Sequence, residues 1–280
     1  MKYRKAKYLS AVVALMVSGP IFAAFNGDQS AGGSSSLLFN AYESVSGYSF
    51  TLDTGSRRDD FSASAPSFAS LNFNLAGDAN WNAFLSGVGA SHLSDIRWAV
   101  SAGDTSVVDG DLRSYLTTAS NGVDIGTNGN GTTNAQLNQW SVNYNAFINA
   151  SNGGDGTVFG FAGQPSTFHL KEGPTDYASY EITIGSNWSG KSKFDTIGAL
   201  GETLNFYEAN ITLSSNGSVN NLAKITTDLL GTATLTTDGL LTIAPLSPVS
   251  PVPEADTWAM LLAGLGLLGV IVRRRSGSVH

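Results

Sequence analysis

Each end of the chain carries an apolar segment beside a basic cluster, and together they confine folding to what lies between. Lys2, Arg4, Lys5 and Lys7 precede the apolar stretch Leu9–Val17, and small residues follow at Ala23 and Ala24. A charged start, a short apolar middle and a small-residue exit form the layout of a secretory signal peptide, here residues 1–24, cleaved after Ala23 or Ala24. The alternative is an uncleaved anchor. At the other end, Trp258–Val272 runs without a charge until Arg273, Arg274 and Arg275 stop it. As a helix, residues 258–272 would extend about 22 Å, short of a hydrocarbon core of about 30 Å. Trp258 at the outer interface and snorkelling arginines at the inner one close part of that gap. The residues therefore predict a single transmembrane helix over 258–272 with a basic cytoplasmic tail, 273–280, and everything upstream outside. A buried core helix is the competing reading of so short a run.

Pro245, Pro248, Pro251 and Pro253 make residues 245–257 an extended spacer ahead of that helix. Within the spacer stands Val252-Pro253-Glu254-Ala255-Asp256-Thr257. Motif, apolar helix and arginine stop together resemble the PEP-CTERM sorting signal of Gram-negative surface proteins, the substrate signal of exosortases. The resemblance covers Val252–Arg275, and Ala255 stands where that family usually has a second proline. It implies an exosortase as partner, a transient stay in the inner membrane and processing near Pro253, Glu254 and Ala255. Release or transfer to the cell surface would follow, in bacteria that make extracellular polysaccharide. Gly264-x-Gly266-x-x-Gly269 spells a dinucleotide-binding pattern but lies inside the apolar run, with no strand before it and no acidic residue about twenty positions on. Small residues there serve close helix packing instead.

What remains is a body over residues 25–244, long enough for one good core. Of 15 Lys and Arg, four lie in the leader and three in the tail; of 22 Asp and Glu, Glu254 and Asp256 lie in the tail. The body thus keeps 8 basic against 20 acidic residues, a net charge of −12. Nucleic acid and anionic membrane surfaces, which demand a basic face, are excluded as its partners. The chain has no cysteine, which removes disulfides, thiolate nucleophiles and Cys-ligated metal sites, so an exported fold must stand on its core alone.

Period-2 alternation dominates the body. Leu37–Tyr42, Tyr48–Leu52, Leu71–Leu75, Ile96–Val100, Val158–Phe161, Phe168–Leu170, Tyr180–Ile184, Leu204–Leu213, Thr232–Thr236 and Leu240–Ala244 all read as strands. Gly47 marks a turn, and Asp238-Gly239 between two β-prone runs is the strongest hairpin signal. Two helices are predicted: a short one over Asp78–Leu85, and Thr133–Ala150, whose Leu137, Trp140, Tyr144, Phe147 and Ile148 form one apolar stripe suited to covering a sheet face. The fold class is mainly β, an antiparallel sandwich-like ectodomain with one or two short helices.

No constellation in the body specifies catalysis. His92 near Asp95, or His169 near Asp176, would serve a Ser–His–Asp hydrolase, but no Gly-x-Ser-x-Gly elbow accompanies them. Glu43, Glu172, Glu181, Glu202 and Glu208 are available to a glycosidase without any spacing that pairs them. No resident cofactor or metal is predicted. Calcium is the one ion with some motive, at Asp109-Gly110-Asp111, at Asp124 with Asn128 and Asn130, and at Asn152-Gly153-Gly154-Asp155. Such turns also exist for backbone reasons alone. The reading is a non-enzymatic, exported surface or matrix protein, structural or glycan-associated in an exopolysaccharide biofilm. A secreted hydrolase with the same tail, or an unprocessed tail-anchored envelope protein, is the alternative.

Overall fold

A computed structural model of the chain describes residues 25, 35–61, 68–104, 113–120, 148, 152, 158–159, 165–170, 196–212 and 224–246, and in the tail 260, 262–263, 265 and 268. Met1–Leu246 and Ser247–His280 are separate compact units. The expected helix over Thr133–Ala150, the strand over Tyr180–Ile184 and the signal peptide lie outside the described residues; Ile148 alone of the helix is described, helical and buried.

The body is mainly β. Its strands are β1 (Ser36–Glu43), β2 (Tyr48–Arg57), β3 (Leu71–Asn74), β4 (Arg97–Asp104), β5 (Arg113–Ala119), β6 (Val158–Phe159), β7 (Ser166–Leu170), β8 (Gly198–Ala199), β9 (Thr203–Thr212), β10 (Lys224–Leu235) and β11 (Leu240–Pro245). All pairings are antiparallel, in the order β3-β11-β10-β9-β5-β4-β1-β2-β7-β6, with β8 on β4. The expectation of two stacked sheets thus becomes a single curled one. Alternation fixes which face of each strand is apolar, but it does not say whether successive hairpins join one sheet or two.

Register places the apolar set on one face. Leu37, Phe39 and Ala41 of β1 lie beside Val100 and Trp98 of β4 and beside Leu52 and Phe50 of β2. Leu204 and Phe206 of β9, Ala233 and Leu235 of β10, and Leu241 and Ile243 of β11 continue the same face, all buried in one core. The opposite face is also buried and is mixed, with Ser36, Asn40, Ser49, Thr51, Ser101 and Thr117 beside Leu38, Tyr42 and Tyr115. There Thr51 donates its hydroxyl to Asn40 Oδ1 at 2.7 Å, which meets the need of a buried amide oxygen. Because both faces are covered, β1 is buried over its whole length.

One helix, α1 (Ala79–Val88), covers the apolar face. Asp78 starts it: its Oδ1 accepts from the backbone N–H of Asn80 at 2.7 Å and of Trp81 at 3.0 Å, filling two donors that have no partner inside the helix. Trp81, Phe84 and Val88 recur at three- and four-residue steps and turn inward. The Trp81 ring meets Phe50 edge-on at 5.1 Å and lies 5.3 Å from Phe84. On one side, Asn80 Nδ2 donates to the Ser166 carbonyl of β7 at 2.8 Å, and Gly87 leaves room for the Tyr48 ring, which an added Cβ would meet at 2.8 Å. On the other side, Leu75 N–H donates to Gly239 O at 2.8 Å, just before the helix. An added Cβ on Gly239 would come within 3.3 Å of Trp81 Nε1. The helix therefore reaches strands near both ends of the sheet, and the sheet curls about it.

The turn between β10 and β11 shows why Asp-Gly was legible. Gly239 adopts φ +87, a left-handed conformation that glycine takes without steric cost, and its N–H donates to Thr236 O at 3.1 Å. Thr236 N–H donates to Leu240 O at 3.0 Å, closing a three-residue loop with glycine in its last position.

In the tail, residues 260, 262, 263, 265 and 268 are helical, and Met260, Leu262, Leu265 and Leu268 are exposed. Among the described residues no helix is long and apolar enough to cross a membrane, and most of the span expected over 258–272 lies outside them.

Candidate functional site

Two places carry candidate chemistry: a side-chain cluster on the body, and the tail. The cluster grows from the end of β1. Glu43 is the last residue of that strand, and its carboxylate folds back on the following turn, Oε1 accepting from Val45 N–H at 2.7 Å and Oε2 from Ser46 N–H at 2.6 Å. Gly47, at φ +80, completes the turn with its N–H on Glu43 O at 3.0 Å. The Glu43 side chain is fully buried. Burial alone would raise its carboxyl, but the backbone N–H groups of Ser46 and Val45, the Ser46 hydroxyl and nearby His92 outweigh that and hold it below the ordinary value.

His92 and Asp95 come from the 3-10 helix Ala90–Asp95 that follows α1. At three residues per turn, positions i and i+3 eclipse, so both side chains project from one side. His92 Nδ1 meets Asp95 Oδ2 at 3.2 Å; Asp95 is exposed and His92 half-buried. One ligand atom from each of Glu43, His92 and Asp95 lies within 4.8 Å of the others. Arg97, the nearest arginine in sequence, spends Nη1 on the carbonyls of Ser94 and Ile96, both at 3.0 Å.

The His92–Asp95 spacing was visible in the sequence, and the structure does pair them. No serine hydroxyl completes a triad at His92 among the described hydrogen bonds. Glu43 stood among the candidate carboxylates, but its place beside His92 was not legible, the two being 49 positions apart with no local pattern to join them. The other described glutamates, Glu202 and Glu208, have structural work. Glu202 Oε2 accepts from Ala199 N–H at 2.9 Å, bracing the turn into β9. Glu208 accepts from Arg58 Nη2 at 2.7 Å in a largely buried ion pair. Glu172, Glu181 and Asp176 lie outside the described residues. His169 lies on β7 opposite Ser49. Of the oxygen-rich turns considered for calcium, only Asn152 is described; its amide exchanges two hydrogen bonds with the Phe25 backbone, each 2.8 Å.

Val252, Pro253, Glu254, Ala255, Arg273, Arg274 and Arg275 likewise lie outside the described residues. Their significance rests on comparison: residues 251–275 match the PEP-CTERM protein-sorting motif. The match takes in the end of the spacer from Pro251, the apolar run and the arginines, and it includes Ala255. Neither a curated protein nor a solved structure matches the chain.

Proposed function

We propose that this chain is an exported protein whose tail is a handle for an exosortase and whose β body is the delivered product, a non-enzymatic component of the cell surface or extracellular matrix. The match of residues 251–275 to the sorting motif carries this reading. The tail chemistry agrees with a transient stay in the inner membrane. Its apolar run is short for a permanent span, exposes Met260, Leu262, Leu265 and Leu268, and ends in three arginines. The body agrees with delivery outside the cell. It needs no disulfide, buries Trp98, Phe39, Phe50, Phe84 and Phe206 in one core, and its acidity keeps it soluble. A role beside extracellular polysaccharide is what the resemblance to such sorting tails implies. The work found for Glu43, Glu202 and Glu208 within turns and an ion pair favours a structural body over a glycosidase.

The test is genetic. Deleting the exosortase from the host should trap the full chain, minus its leader, in the inner-membrane fraction. Unchanged surface delivery in the deletion strain would refute the reading.

A further inference from the structure

We infer that Asn152 is a clamp for the mature N-terminus, and that the leader is cut away between Ala24 and Phe25. Three observations converge. The first is pairing. Asn152 Oδ1 accepts from the Phe25 N–H and Asn152 Nδ2 donates to the Phe25 carbonyl, each at 2.8 Å. One side-chain amide thus serves both backbone groups of a single residue, as a neighbouring strand does, across 127 positions of sequence. The second is burial. Phe25 is 5% exposed, although it stands directly after Ala23 and Ala24, the small-residue exit of the leader. Chain starts are poorly ordered unless something ties them down, and here a buried ring and two hydrogen bonds do so. The third is placement. Asn152 and Ile148 are both helical and four positions apart, which puts them on one helix face, and Ile148 is buried. The amide therefore stands beside a core contact, and holding Phe25 gives it work other than calcium.

Burial also fixes the order of events. A leader peptidase has to reach the scissile bond, and a seated Phe25 with both backbone groups taken does not allow it, so cleavage precedes docking. Hydrolysis adds one water across the Ala24–Phe25 bond. The leader departs with the Ala24 carboxylate, and Phe25 keeps its nitrogen, which takes up a proton. With an ordinary pKa of about 7.7–8.0, that α-amino group is mostly an ammonium at neutral pH. It has three donors where the amide had one, and its nitrogen already lies 2.8 Å from Asn152 Oδ1. A hydrogen bond from an ionised donor is roughly twice as strong as a neutral one, so leader removal strengthens a tertiary contact of the body. None of this depends on how the tail is processed.

The experiment uses the full chain, leader included, expressed in a Gram-negative host without an exosortase and extracted from its membranes in detergent. Edman sequencing should read Phe25-Asn26-Gly27-Asp28. In thermal melts followed by circular dichroism, Asn152→Ala should lower Tm by about 2–12 °C, since it leaves two backbone groups unpaired. Asn152→Asp keeps an acceptor for the ammonium and loses only the donor, so it should lower Tm less than Asn152→Ala, and it serves if the alanine variant does not fold. A first residue other than Phe25, Met1 included, would overturn the position of the cut. A Tm for Asn152→Ala within about 1 °C of the wild type would overturn the clamp. An aspartate variant that melts as low as the alanine one would overturn the docked ammonium.

Discussion

Replacing Trp81 with alanine tests whether α1 holds the curled sheet together. A ten-residue helix is marginal alone in water, so α1 persists through its buried side. Trp81 is 2% exposed and touches Phe50 at 5.1 Å, Phe84 at 5.3 Å and Phe39 at 6.3 Å, ring centre to ring centre. Removing such a side chain costs about 3–5 kcal/mol from lost transfer free energy and the cavity left behind. The edge-on meeting with Phe50 contributes about 0.5–1.5 kcal/mol of that as pair coupling. For a body of this size each kcal/mol moves Tm by about 2–4 °C, so Trp81→Ala should lower it by about 6–20 °C. Circular dichroism is the suitable probe, since four further tryptophans complicate fluorescence. Urea unfolding of Trp81→Ala, Phe50→Ala and the double variant supplies the coupling. A cost below about 1 kcal/mol, or additive single effects, would refute the closure of the sheet by α1.

Three further outcomes follow from particular contacts. Gly231→Ala puts a Cβ onto the Ala244 carbonyl oxygen and 3.0 Å from Pro245 Cα, all backbone of the partner strand, so it should destabilise by at least about 1–3 kcal/mol in urea titration. A neutral or stabilising result would contradict the β10–β11 register. Burial pushes the Asp53 carboxyl up, against the opposing Ser36 hydroxyl, Gly55 N–H and Arg57 charge. A raised carboxyl holds its proton more tightly when folded, so the cost of its buried charge is absent below the ordinary value near 3.8 and complete above the raised one. Asp53→Asn should therefore help stability more at pH 7 than at pH 3, and an equal difference at both would count against the burial argument. Asp78→Ala removes the acceptor for two N–H groups and should cost about 1 kcal/mol in thermal melts, with no change speaking against the cap.

How much of this was legible depends on where each signal resides. Local signals were sound: Gly47 and Asp238-Gly239 turn the chain with positive φ, Asp78 opens a helix, and Leu71-Asn72-Phe73-Asn74 alternates as β3 does. The strand β5 was missed because Tyr115 and Leu116 are adjacent, buried and on opposite faces, so no apolar–polar alternation marks it. The first half of β10 was hidden by Thr226, Thr227 and Asp228 and by the register shift between Leu229 and Gly231. The joining of all strands into one sheet depends on pairings such as β5 with β9 and β3 with β11, which link segments about 90 and 170 positions apart and leave no local trace. The Glu43–His92–Asp95 cluster is of the same kind. Its His-x-x-Asp half could be read from the chain, and the place of Glu43 beside it could not.

The central claim concerns the tail, and the mass of the exported protein decides it most directly. Intact-mass spectrometry of the chain recovered from the surface or medium of its host should show a C-terminus at or near Pro253-Glu254-Ala255, with the apolar run and Arg273–Arg275 gone. The same measurement in an exosortase deletion should show His280 as the last residue. Surface protein from the unmodified host that still ends at His280 would contradict the account.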